Sequence, residues 1–203
     1  MTGSHDQSHD HAGADSPATR IEALEDLLAE AGLLDRSRVD AAIERYENDI
    51  GPMIGARLVA EAWTDPAFEQ RLLHDADGVI AERGLYGAEV EHLEVKANRP
   101  GVHNLVVCTL CSCYPWAVLG LPPNWYKSPE YRSRAVKDPR AMLAEMGLQV
   151  DPSVELRVWD SSSETRYMVL PERPDGTELM SVDQLAALVN RDSMIGVALA
   201  DTP

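Results

Sequence analysis

All three cysteines of this 203-residue chain lie within the six residues Cys108-Thr109-Leu110-Cys111-Ser112-Cys113. Thiolates are nucleophiles and metal ligands, so the spacing limits which chemistry is open to them. A disulfide leaves one thiol over, and a bond between Cys111 and Cys113 closes a cramped ring. A structural zinc site takes four ligands, usually from two separated pairs, and no histidine follows at finger spacing. Cys108 and Cys111 form a Cys-x-x-Cys pair of the redox type, which leaves Cys113 without a role.

In Cys111-Ser112-Cys113 the two sulfurs flank the backbone nitrogens of Ser112 and Cys113. One metal ion bound by these four atoms closes fused five- and six-membered rings with the donors near one plane. Several transition metals accept that arrangement and zinc does not seek it. Ser112 is small enough to let the backbone come close. Cys108 can add a third thiolate on the axis, leaving the sixth position for water or substrate. Peptide nitrogens bind only when deprotonated, which demands a strongly polarising ion, so the pattern points to trivalent cobalt or iron. The competing reading is a set of buried, reduced cysteines acting as small core residues.

The stretch from Val107 to Tyr114 resembles the metal-binding claw of the nitrile hydratase α subunit, which the γ subunit of thiocyanate hydrolase shares. Other stretches are similar to the same subunit: Ala62-Trp63-Thr64-Asp65-Pro66, Leu119-Gly120-Leu121-Pro122-Pro123-Asn124-Trp125-Tyr126-Lys127, Tyr131-Arg132-Ser133-Arg134, Val158-Trp159-Asp160-Ser161 and Arg191-Asp192-Ser193-Met194-Ile195-Gly196. The resemblance spans roughly residues 21–197 and implies a metal-binding catalytic subunit that hydrates nitriles to amides. It implies that Cys111 and Cys113 are oxidised to sulfinic and sulfenic acid, with Cys113 beside the bound nitrile. Thr109 with Tyr114 resembles the cobalt-type claw, so one trivalent cobalt per chain is expected ahead of iron. The family further implies a β subunit as partner, in a heterodimer or heterotetramer, bringing two arginines to the oxidised sulfurs. A metallochaperone or activator is expected as a further partner. Trp116 matches a pocket position and Arg166 a position bonded across the subunit interface. Glu89 stands where the family usually has a pocket glutamine, Ala117 replaces a usual proline, and Leu179-Met180 replaces a usual Gly-Trp. Two other functions use the same residues: a thiocyanate-hydrolysing cobalt subunit, or a non-catalytic cobalt carrier helped by His5, His9 and His11 near the N-terminus.

The net charge of −16 argues against nucleic acid or an anionic membrane as partner. No apolar run reaches membrane-spanning length, the N-terminus has no apolar signal core, and clustered thiols suit a reducing cytoplasm.

The elements that must hold the claw suggest an α+β fold: an N-terminal helical arm, then a layered α/β metal-binding domain. Residues 1–18 read as a polar, disordered tail. Over residues 19–86 the apolar period is helical, in segments set off by Gly32, Gly51-Pro52 and Pro66, and this arm is expected to wrap the β subunit. The catalytic domain, 87–203, begins with alternating Val90, Leu93 and Val95. A strand over 102–107 then ends at the claw. A helix through Tyr131 to Met146, bent at Pro139, follows. Two strands joined at Asp160-Ser161-Ser162-Ser163 and a C-terminal helix from Ser181 complete the chain. Asp192 to Val197 is expected to pack back on the claw.

Overall fold

The structure, a computed structural model, describes residues 17–39, 51–85 and 92–203. These belong to two compact units, residues 1–45 and 46–203. In the first, helix α1 spans Pro17–Glu30. It closes with Gly32 N donating to Ala29 O and Leu33 N to Leu28 O, a turn that needs the left-handed φ of 66° at Gly32. Ile21, Leu24 and Leu27 share one face of α1, and each is more than half exposed. A second helix begins at 36–39. Its predicted continuation through Ala42, Ile43 and Tyr46 lies outside the described residues, as do Glu89, His5, His9 and His11.

The second unit opens with α2 (Pro52–Thr64), α3 (Pro66–His74) and α4 (Ala76–Glu82). Proline heads α2 and α3, where its absent N–H is no loss. Asp65 ends α2 and caps α3, accepting from Ala67 N and Phe68 N. These helices do not form an arm apart from the strands. Leu58, Val59, Leu72 and Val79 are buried in one core with Leu93, Leu105 and Met168 of the strands. Burial of such side chains stabilises each by about 1.5–3 kcal/mol, which explains why this part of the predicted 19–86 segment joins the main unit. Gly55 makes the fit close: a Cβ there would meet Met194 Sδ at 2.8 Å and Val118 O at 2.9 Å.

Strands β1 (His92–Ala97), β2 (Val102–Val107), β3 (Glu155–Asp160) and β4 (Thr165–Leu170) form two parallel pairs, β1 with β4 and β2 with β3. The consecutive strands β3 and β4 therefore do not pair with each other; each is claimed by an earlier strand. A parallel pair needs a long crossover. The β2–β3 crossover carries the claw, α5 (Trp116–Leu119), a 3-10 turn (Asn124–Lys127), α6 (Pro129–Lys137) and α7 (Pro139–Glu145). The helix predicted through residue 146 is broken, not bent. Asp138 ends α6 and its carboxylate caps α7 through Ala141 N, because Pro139 has no N–H to continue the ladder.

Helices α8 (Val182–Ala186) and α9 (Arg191–Ile195) pack on α2, and α9 also on β2 and β4. At the end of α9, Gly196 has φ 90°, and a Cβ there would lie 2.0 Å from Asn104 O. His103 Nε2 donates to Gly196 O at 2.7 Å, fastening α9 beneath the strand that leads to the claw. Among the described residues no helix is long and apolar enough to cross a membrane.

Candidate metal centre

In the β2–β3 pair Val107 stands opposite Asp160, so both strands end at one edge. Carboxyl ends of parallel strands are where open α/β sheets place their ligands, because rigid strands there hand over to loops. Cys108 follows Val107 directly, and Ser161 N donates back to Val107 O at 2.7 Å. Cys108 and Cys113 are buried, Cys111 is exposed and Ser112 is half-buried.

Cys108 Sγ lies 3.3 Å from Cys111 Sγ, which lies 2.7 Å from Cys113 Sγ. All three sulfurs fall within 4.8 Å of one another. Sulfurs bonded to one ion at about 2.3 Å can sit up to about 4.6 Å apart, and the 3.3 and 2.7 Å separations lie inside that limit, so these donors can share a single metal ion. Cys111 N already points at Cys108 Sγ, 3.3 Å away.

Four side chains from the crossover and from β3 hold the loop by its backbone. Asp160 accepts from Thr109 N at 2.9 Å and from Thr109 Oγ1 at 2.6 Å. Tyr131 OH donates to Val106 O at 2.6 Å and Tyr126 OH to Cys113 O at 2.9 Å. Burial pushes both phenols well above the ordinary tyrosine pKa, so they stay donors. Arg132 Nη1 donates to Cys111 O at 2.8 Å and, more loosely, to Leu110 O at 3.4 Å. None of these four has an assigned role in the sequence reading, although all lie in stretches that carry the resemblance. The residues are far apart in sequence, and only the parallel crossover brings them together.

The thiols are electrostatically unequal. Hydrogen bonds from Cys113 and then Cys108 lower the Cys111 pKa to about 7. Burial, with the bond to Cys111, pushes Cys113 up to about 12, against a downward pull from the Arg166 charge. Cys111 thus ionises before Cys113.

Arg166 is 7% exposed, and its Nη1 donates to Ser162 O in the turn behind the claw. Its charge reaches Cys113 from within the chain. Trp116 is half-buried against the core three residues beyond Cys113. The C-terminal element, α9, reaches the claw only indirectly, under β2 and beside Tyr114. A shallow groove of about 330 Å³ flanks the loop, lined by Thr109, Pro129, Arg132, Ser133, Val136 and Lys137. The thiols do not line it, so it is not a ready-made substrate pocket.

The sequence and fold have relatives. A family described as nitrile hydratase, alpha chain, matches residues 15–198. The low-molecular weight cobalt-containing nitrile hydratase subunit alpha of Rhodococcus rhodochrous is 56% identical, over 92% of this chain and 90% of its own length. The thiocyanate hydrolase subunit gamma of Thiobacillus thioparus is 43% identical, over 87% of this chain and 77% of its own. In structure, a double mutant of the Fe-type nitrile hydratase from Comamonas testosteroni Ni1 superposes with a TM-score of 0.87 at 40% identity, covering 93% of this chain and 94% of that one. A thiol cluster at a strand end, on a fold matched along nearly its whole length, leaves one conclusion: the chain belongs to the nitrile hydratase α-chain family of enzymes.

Proposed function

We propose that the chain is the metal-binding catalytic subunit of a cobalt nitrile hydratase, working in a heteromer with a β subunit. The observation that carries the proposal is the three-sulfur cluster on a sequence 56% identical to a cobalt-containing α subunit. Cobalt is favoured over iron because Thr109 with Tyr114 resembles the cobalt-type claw and a cobalt-containing α subunit is 56% identical. One trivalent, low-spin cobalt would be held by the sulfurs of Cys108, Cys111 and Cys113 and by the nitrogens of Ser112 and Cys113.

Bound there, cobalt supplies Lewis acidity that polarises a nitrile carbon toward water. The chain's own residues set the rest. Cys111, exposed and easier to ionise than Cys113, is placed for the further oxidation, to sulfinic acid, by dioxygen as external oxidant. Cys113, buried and harder to ionise, stops at sulfenic acid. The sulfenate oxygen of Cys113 takes the proton from the attacking water, or itself attacks the nitrile carbon while water then restores the oxygen on Cys113, and in either case nitrile and water give the amide. Tyr126 holds the Cys113 carbonyl so that this oxygen keeps one direction. Trp116 borders the substrate, and Glu89, outside the described residues, is assigned there by the family resemblance alone.

The β subunit covers the exposed apolar stripe of α1 and, as the family resemblance implies, brings arginines to the oxidised sulfurs. Arg166 serves this junction from behind the claw. A cytoplasmic setting keeps the thiols reduced until an activator or metallochaperone delivers cobalt.

The test is turnover by the cobalt-loaded chain with its β subunit. Conversion of nitriles to amides, abolished by Cys113→Ala, is expected. Thiocyanate hydrolysis without nitrile hydration would move the chain to the function of its 43% identical relative, and cobalt binding without turnover would make it a carrier.

A further inference from the structure

Resting on the metal reading above, we propose that Arg132 is a positioning residue for a ligating peptide group. Its guanidinium stabilises the negative charge that the Cys111–Ser112 peptide carries when the Ser112 nitrogen is a metal ligand. The Cys111 carbonyl and the Ser112 nitrogen belong to one conjugated unit, so charge on the nitrogen is shared with the oxygen. Arg132 Nη1 lies 2.8 Å from that oxygen. A hydrogen bond from a cation to an anionic acceptor is about twice as strong as a neutral one.

Three observations set Arg132 apart from an ordinary surface arginine. First, the claw's carbonyls are served by donors of different charge. The neutral phenol of Tyr126 meets Cys113 O, whose peptide nitrogen, on Tyr114, is outside the ligand set. The guanidinium meets Cys111 O, whose peptide nitrogen is inside it. Second, the charge of Arg132 is not matched elsewhere. On the same helix Arg134 is paired with Glu145, whereas among the described residues no carboxylate stands within ion-pair distance of Arg132. Third, its base is fixed. Ser128 caps α6 through Tyr131 N, and Tyr131, the adjacent residue, is anchored on Val106 O. The helix that carries Arg132 is thereby locked to the strand that carries the claw.

Charge and simple clamping predict different behaviour for two variants. Arg132→Lys keeps a cation near the carbonyl; Arg132→Gln keeps a hydrogen-bond donor without charge. Both are made in the full chain in its assembled, cobalt-loaded form. Cobalt loss to excess EDTA, the position of the thiolate-to-cobalt absorption band, and the thermal midpoint of the metal-free chain are measured. The Gln variant is expected to lose cobalt roughly ten-fold faster than wild type, as for other residues that support metal ligands. Its absorption band should shift, while the Lys variant stays close to wild type in both and the metal-free midpoints coincide. Gln and Lys variants alike in retention and spectrum would overturn the charge role, with wild-type retention showing that the metal reading itself stands. A wild-type chain that retains no cobalt would overturn both.

Discussion

The two sides of the claw are built differently. On the inner side Cys108 and Cys113 are buried, and the phenols of Tyr126 and Tyr131 hold the backbone with neutral, buried hydrogen bonds. On the outer side Cys111 is exposed, Leu110 is 90% exposed, and the holding groups are the charged Arg132 and Asp160. On the inner side these backbone anchors come from within the chain. The outer side ends in open surface, and in the proposed heteromer this is the side left for the β subunit to cover.

The difference predicts a graded response to substitution. Removing a ligand comes first: Cys108→Ala or Cys113→Ala should reduce cobalt content and nitrile hydration to background, measured by elemental analysis and amide formation. Next is the inner support. Tyr126→Phe leaves Cys113 O without its donor in a buried place, and should lower the unfolding free energy by about 1–3 kcal/mol in urea titrations. Asp160→Asn, on the outer side, should weaken cobalt binding by about 10–100-fold, read by chelator competition, with little change in metal-free stability. An Asp160 variant less stable than the Tyr126 variant would reverse the contrast.

A smaller effect lies beneath the inner side. Burial holds the His103 pKa below the ordinary histidine value, partly offset by its bond to Gly196 O. The folded state then binds fewer protons than the unfolded state once the pH falls below about 6.5, so stability is full above that value and declines through the depressed one. Denaturant midpoints at about pH 7.5 and about pH 5.5 should differ more in wild type than in His103→Gln. Least of all for folding, Leu24→Ser with Leu27→Ser on α1 should leave the unfolding free energy within about 0.5 kcal/mol of wild type. Sedimentation with the β subunit should nevertheless show weaker assembly.

How much of this is legible in the sequence follows from distance along the chain. The sulfur donors are contiguous, so Cys108, Cys111, Ser112 and Cys113 can be read as one unit before any fold is known. The strand ending at Val107 is equally plain, since Leu105-Val106-Val107 is a β-rich run that stops at a thiol. Arg132, Asp160 and Tyr126 reach the claw only through a parallel crossover, and local pattern carries no register between β2 and β3. The same limit explains the helices from Pro52 to Glu82: an apolar stripe shows that a helix face is buried, not what buries it. Proline and its capping aspartate at Asp138-Pro139 do spell a helix start, and that signal outweighs the apolar period running across it.

The most direct test of the central claim is X-ray absorption at the cobalt edge of the purified, assembled protein, with metal content from the same sample. Three sulfur and two nitrogen neighbours at about one cobalt per chain are expected, lost together in Cys108→Ala. An oxygen-only shell, or zinc in place of cobalt with unmodified thiols in active protein, would contradict it.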